Sequence, residues 1–254
     1  MPRTRAGLPV RQTENTVAYQ FQFEPVLAHV DMLAEGALMT IYLSSAAIFF
    51  GTLIGVLTAA VRSVQTGRIR SLIDGYVEVI RNTPFLIQLF ILYFGLPTLH
   101  VQVSATQAAL IGMVINLGAY STEIIRAGIE SIHRSQIEAG LSLGMTRVQI
   151  FRYIILKPAV QKVYPALCSQ FVLMMLASSV TSAISTQELS SLAAQIDSET
   201  FRSFEVYTLV TIGYLGLALL FKGVLTLIGH WLFARKKPAT AGAPLQAIVS
   251  GSST

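Results

Sequence analysis

SQIEAGLSLGMTRVQIFRYIILKP, residues 135–158, is a polar segment set between two long apolar runs. Ser135 and Glu138 form an S-x-x-E pattern, in which the serine hydroxyl accepts from a first-turn N–H and the glutamate reaches back to the serine N–H. A short helix is expected to start at Ser135. Gly144 is placed to end it in the left-handed conformation that a Cβ penalises. Thr146 and Gln149 repeat the pattern as T-x-x-Q, opening a second helix with Val148, Phe151 and Ile155 along one face. The expected local fold is helix, glycine turn, helix, with Ile137 and Leu141 sharing a face of the first. Such a pair is either a projecting docking element or a well-capped connection, and capping alone does not choose between them.

The flanking runs set the environment. Hydrophobic residues make up 53% of the chain and charged residues only 12%, and the mean hydropathy is +0.60, which identifies lipid as the solvent for most of it. Residues 36–61 and 163–187 contain no Asp, Glu, Lys or Arg, and 82–122 is a charge-free run long enough for parts of two spans. Each exceeds the roughly 20 residues that a bilayer-crossing helix needs. Residues 205–234 form a last candidate, interrupted by Lys222, which can snorkel to an interface. The expected fold is all-α and polytopic, with five transmembrane helices near 36–61, 72–97, 105–130, 163–184 and 206–233. Residues 1–35 would form an extracytoplasmic N-terminal segment, 36–235 the transmembrane domain with the polar loop at about 133–158, and 236–254 a disordered cytoplasmic tail rich in Ala, Gly and Ser.

Basic residues in short flanking loops favour the cytoplasmic side. Arg62, Arg68 and Arg70 follow the first span; Arg134, Arg147, Arg152, Lys157 and Lys162 lie between the third and fourth; Arg235, Lys236 and Lys237 follow the fifth. These loops are expected inside. The loop of residues 97–105 lacks Lys and Arg, and the one before the last span carries Glu188, Asp197, Glu199 and Glu205 against Arg202, so both are expected outside. The N-terminus then falls outside and the C-terminus in the cytoplasm. Arg3, Arg5 and Arg11 pull the other way, but Glu24, Asp31 and Glu35 are nearer the membrane. No early apolar core with a cleavage site precedes the first span, so a cleaved signal peptide is not expected.

Several function classes drop out. The net charge of +5 follows from loop asymmetry and carries no aromatic-interleaved basic face, so nucleic acid is not an expected partner. Cys168, alone and within a span, excludes an internal disulfide and fits small-residue packing. His29, His100, His133 and His230 lack the i, i+4 pairing of a zinc helix, so neither metal nor cofactor is expected. No G-x-x-x-x-G-K-[S/T] loop, G-x-S-x-G elbow or His-Glu-x-x-His helix occurs, so this chain is not expected to hydrolyse ATP or act as an enzyme.

Polar groups within the spans are the remaining candidates, because an ionisable side chain at membrane depth is costly and marks a cavity or a partner. Glu78 with Arg81, and Glu123 with Arg126, are spaced to pair on one helix face; structural pairing and solute contact are both open. Asn82-Thr83-Pro84 interrupts the second apolar segment, since proline removes a donor and disfavours helix just before it. Either a broken helix lines a cavity here, or Thr83-Pro84 begins the span after a hairpin. Gln88, Asn116 and Tyr120 are candidates for a solute pathway, with Asn116 and Tyr120 on one face. Ser178 and Ser179, with Thr181 and Ser182, are either pathway hydroxyls or small packing residues. Gly51-x-x-x-Gly55 permits close helix approach.

Glu138-Ala139-Gly140, then Gly144, then Ile155-Leu156 and Pro158 resemble the Glu-Ala-Ala, Gly, Ile-x-Leu-Pro loop of ATP-binding-cassette importer permeases. Two positions depart: Gly140 stands where the family prefers Ala, and Lys157 where it has proline. YVEVIRNTPFLIQLF, residues 76–90, and NLGAYSTEIIRAGI, residues 116–129, are similar to signatures of the polar amino acid branch, and the resemblance covers residues 36–235. It implies a bacterial inner-membrane permease for a polar amino acid or amino-acid-like solute. It also implies a second permease subunit (the same chain or a close paralogue), a cytoplasmic ATPase dimer and an external solute-binding protein. The loop from Ser135 through Glu138 to Met145 would enter a groove on the ATPase. Many such permeases carry Lys-Asp-Thr-Ser where this chain has Leu176-Ala177 followed by hydroxyls, which removes a charged contact. A self-contained secondary transporter or a channel subunit is the competing class, though neither internal repeats nor additional spans support it.

Overall fold

The computed structural model describes residues 19–64 and 66–233, which form helices without a strand. Arg3, Arg5, Arg11 and the tail from residue 236 lie outside the described residues. The helices are α1 (Glu24–Leu27), α2 (Val30–Val64), α3 (Arg68–Arg81), α4 (Phe85–Thr98), α5 (Ala105–Glu130), α6 (Arg134–Ser142), α7 (Arg147–Gln149), α8 (Lys157–Ala177), α9 (Leu189–Thr200) and α10 (Ser203–Phe233). A π-helical stretch, Ile150–Leu156, joins α7 to α8, and a 3-10 stretch, Ser178–Ile184, extends α8.

Among the described residues four helical segments are long and apolar enough to cross a membrane: Val30–Arg62, Ala105–Glu130, Arg147–Ile184 and Ser203–Phe233. The segment expected as a span over 72–97 is divided at the expected break into α3 and α4. The pair is bent by 106°, the geometry of a broken span or of a re-entrant loop. Pro84 causes the break: it sits in extended conformation as the N-cap of α4 and cannot donate to the preceding turn. The freed carbonyls are answered by one side chain, since Gln88 Nε2 donates to the Ile80 carbonyl at 2.8 Å and the Thr83 carbonyl at 3.1 Å. An apolar helix starts directly after Thr83-Pro84, at Phe85, and a cavity lies beside Thr83 and Gln88, so features of both readings are present. At about 1.5 Å per residue, α4 extends roughly 21 Å, running antiparallel to α5 with Leu89 against Gly112 and Gln88 against Asn116. α3 is amphipathic. Val77 is buried and the Tyr76 hydroxyl donates to the Ile115 carbonyl at 2.7 Å, while Leu72 and Val79 face outward.

The centre of the bundle is α2 laid alongside α5. Gly51 and Gly55 make this possible: a Cβ on Gly51 would stand 2.9 Å from the Leu117 Cβ, and one on Gly55 would collide with Ser121. α8 closes the other side, giving a core of Leu43, Leu117, Val163, Leu167, Phe171 and Met174. Burying such side chains stabilises by about 1.5–3 kcal/mol each in water; against lipid, close packing takes over that role. α10 buries only a few residues along its length and presents the rest outward.

The acidic connection before the last span is not an open loop. Most of it is α9, whose Leu189, Ala193 and Ile196 pack with Val26, Met175, Val206 and Val210. Glu188 and Glu205 are fully buried. Ser185 and Phe201 adopt left-handed backbone conformations at the two corners of this insertion.

Candidate functional site

The polar loop folds as helix, turn, helix, with one correction to its start. α6 is capped by His133, whose Nδ1 accepts from the Ser135 N–H at 3.3 Å; Ser135 lies inside the first turn, with its hydroxyl 2.7 Å from the same nitrogen. Arg134 pairs with Glu138 at 3.2 Å, so that glutamate does not reach back to a serine cap. The end is as expected: Gly144 has φ 72°, its N–H donates to the Leu141 carbonyl, and the Met145 N–H donates to the Gly140 carbonyl. This is the paired 5→2 and 6→1 closure that a left-handed glycine permits. Thr146 and Gln149 form the expected reciprocal capping box.

Pro158 reshapes the helix around it. It lacks an N–H and its ring crowds the carbonyl four residues earlier, and the wider π-helical stretch Ile150–Leu156 absorbs both. Consequently Ile150 is buried and Ile154 and Ile155 are half-buried, while Val148 and Phe151 stay exposed. Gly140 packs against Ile150 and Ile154: a Cβ there would come within 2.6 Å of Ile154 Cδ1. Leu141, Leu143 and Val148 are exposed around the turn, Leu143 at 81%. The second helix runs on through the π-helical stretch into the candidate span Arg147–Ile184.

Of the polar candidates at membrane depth, Gln88 and Asn116 come together. Asn116 Nδ2 donates to Gln88 Oε1 at 3.0 Å, and Asn116 is buried. One turn further along α5, the Tyr120 ring lies under Arg81 at 5.4 Å. A cavity of about 220 Å³ runs beside Gln88, lined by Thr83, Ile87, Ile91, Gly112 and Ile115. Ser178 and Ser179 do not join this pair. Their hydroxyls donate to the Met175 and Leu176 carbonyls of their own helix at 2.7 and 2.8 Å, and Ser178 is fully buried.

The ionisable candidates gather at the end of α5. Glu123 is the hub: Arg126 donates to it at 3.0 Å through Nε, Arg62 stands 3.5 Å away and Arg81 3.8 Å. Arg126 also pairs with Glu130. The expected Glu123–Arg126 pair is present, whereas Arg81 turns to Glu123 rather than to Glu78. Arg62 and Asp74, 2.5 Å apart, complete the network. Sequence reasoning misses both as a pair, because their partners come from other helices and no local spacing announces them.

At the opposite end lies a second polar cluster that sequence reasoning also misses. Glu188 caps α9 by accepting from the Ser191 N–H at 2.9 Å, and it accepts from the Tyr214 hydroxyl at 2.6 Å. Glu205 accepts from the Gln22 N–H at 2.9 Å and from the Tyr19 hydroxyl. Among the described residues no group of His, Cys, Asp and Glu is placed to hold a metal.

A model of the family described as binding-protein-dependent transport system inner membrane component matches residues 51–236. The glutamine transport system permease protein GlnP of Escherichia coli is 32% identical over 208 residues, covering 81% of this chain and 95% of that protein. The probable amino-acid ABC transporter permease protein PatM of Vibrio harveyi is 32% identical over 222 residues, covering 86% and 98%. Among solved structures, an amino acid ABC transporter crystallised with histidines superposes with a TM-score of 0.79 at 33% identity, over 84% of this chain and 100% of that one. The MetNI methionine ABC transporter in an inward-facing conformation superposes with a TM-score of 0.67 at 19% identity, over 81% and 98%, which bears on the fold alone.

Proposed function

This chain belongs to the family of binding-protein-dependent transport system inner membrane components, and from that premise we propose how it works as the permease subunit of an ATP-driven importer. The solute is a polar amino acid or an amino-acid-like molecule, as the names of its relatives suggest. The observation that carries the mechanism is the turn at Gly144, exposed and apolar, rigidly closed, and continuous with a membrane-crossing helix. A surface of this kind suits a groove on a separate ATPase, and residues 135–145 are the segment that enters it. Charge placement supports an orientation with this loop and the C-terminus in the cytoplasm and the N-terminus outside.

The division of labour follows from chemistry. With no phosphate-binding glycine loop in its sequence, the chain leaves nucleotide hydrolysis to an ATPase dimer. A second permease subunit, this chain again or a close paralogue, completes the pathway, and an external solute-binding protein delivers the cargo. Gln88, Asn116 and Tyr120 line the route with uncharged donors and acceptors. Ser178 and Ser179 stand behind it on the fourth span. Glu123 and Arg126 hold the inner end of the bundle together. A self-contained secondary transporter or channel has no need of the exposed turn.

Co-purification separates these classes. Expressed with a cognate ATPase and solute-binding protein, the tagged chain is expected to retain the ATPase in detergent. A chain that instead transports solute in liposomes on its own would overturn the reading.

A further inference from the structure

The charged network at the end of α5 borders a cavity that also takes in side chains outside its ion pairs. That cavity, of about 410 Å³, is lined by Arg62, Asp74, Glu78, Arg81, Asn82 and Tyr120 among others. Arg62, Asp74, Glu123 and Arg126 are matched with one another. On the facing wall, Arg81 makes no hydrogen bond among the described residues; its contacts are Glu123 at 3.8 Å and the face of Tyr120. Among the described residues nothing pairs with the Glu78 carboxylate, the Asn82 amide or the Tyr120 hydroxyl. Arg81, ion-paired with Glu123 and stacked on the Tyr120 ring, thus shares one space with a carboxylate, an amide and a phenol hydroxyl that make no hydrogen bond among the described residues. Tyr120 lies one turn beyond Asn116 on α5.

We propose that this cavity is a second solute subsite, at the inner end of the pathway, which holds the zwitterionic head of an amino acid: its carboxylate on Arg81 and its ammonium on Glu78. Tyr120 and Asn82 supply the remaining hydrogen bonds. A cation and an anion three residues apart on α3 present both charges from one helix face, and charge-assisted bonds of this kind are the strong ones. The subsite rests on the importer reading and deepens it. It reads the part common to all amino acids, not the side chain. It also gives released solute a place to rebind, so accumulated product slows the cycle.

The test uses the complete transporter in proteoliposomes, with permease, ATPase and binding protein. The probe is a mixture of the twenty protein amino acids enclosed in the vesicles, compared with the same mixture N-acetylated, which removes the ammonium. In the wild type, the free mixture is expected to inhibit import at about tenfold lower concentration than the acetylated one, the value of one charge-assisted hydrogen bond. Glu78→Gln is expected to abolish that discrimination, which a merely structural role would leave in place. Tyr120→Phe keeps the ring beneath Arg81 and is expected to weaken inhibition by both mixtures about fivefold; it decides the matter if Glu78→Gln fails to assemble. Import without inhibition by enclosed amino acids, discrimination that survives in Glu78→Gln, or unchanged inhibition in Tyr120→Phe overturns the subsite alone. Failure of the wild type to import any of the twenty amino acids defeats the amino acid reading, and the subsite with it.

Discussion

The two ends of this bundle handle buried and half-buried acid in opposite ways. At the end carrying the helix-turn-helix loop, Glu123 keeps a quarter of its side chain exposed and is surrounded by three arginines from three helices. At the other end, Glu188 is fully buried and is held by neutral donors, the Tyr214 hydroxyl and the Ser191 N–H among them. A solvated ion network can exchange partners at little cost, because each pair contributes on the order of 0–1 kcal/mol. A buried carboxyl in a closed set of donors cannot, since any partner lost is a polar group stranded away from water. Exchange of partners is cheap at one end and costly at the other, where α9 is fixed to α10 through Glu188 and to α2 through the Leu189 N–H on Thr40.

The contrast can be broken most directly at Glu188. Replacing it with Ala strands the Ser191 N–H, removes the Tyr214 acceptor and leaves a hole, which should cost about 3 kcal/mol; thermal unfolding of the detergent-solubilised protein measures it. A loss no greater than that of a surface substitution would remove the distinction between the ends. Glu123→Gln should cost about 1 kcal/mol at low ionic strength, shrinking toward zero at roughly 0.5 M salt as exposed charges are screened. Salt should leave the Glu188→Ala deficit unchanged, and a salt-sensitive deficit there would reverse the assignment. Thr146→Ala removes one side of the capping box and should loosen the second loop helix by about 1 kcal/mol, read as faster amide exchange at residues 147–150. The smallest effect is expected from Gly140→Ala: the gain in helix propensity of up to about 1 kcal/mol is offset by displacement of the Ile154 methyl. Stability should then change by less than about 1 kcal/mol.

Much of the end carrying the loop is legible in the sequence. Gly144, the Thr146–Gln149 box and the Pro84 break are local events, each set by a few neighbouring residues, and local physics suffices to read them. The start of α6 is harder: Ser135 is the better cap by residue type, while the backbone entering from α5 already turns at His133. A shared face for Val148, Phe151 and Ile155 assumes a regular helix; the π-helical stretch before Pro158 buries Ile150 instead and leaves Val148 and Phe151 exposed. The fixed end is nearly invisible. Glu188 and Glu205 look like loop acids in the sequence, and only packing against α2, α10 and the segment before α1 reveals them as buried. Arg62 and Asp74 escape for the same reason: an ion pair between helices leaves no spacing to count. The Gln88–Asn116 contact joins two residues that polarity at membrane depth singles out separately.

The Gly144 turn transmits the work of a separate ATPase on this reading, and one substitution tests it. Gly144 holds φ 72° with open space around it, so Val there meets no neighbour but is strained by its own backbone, at about 1–3 kcal/mol. The assay uses proteoliposomes containing the ATPase and the solute-loaded binding protein. Gly144→Val is expected to insert and assemble as a membrane protein yet lose solute-stimulated ATP hydrolysis. Stimulation equal to that of the wild type would contradict a coupling role for the turn.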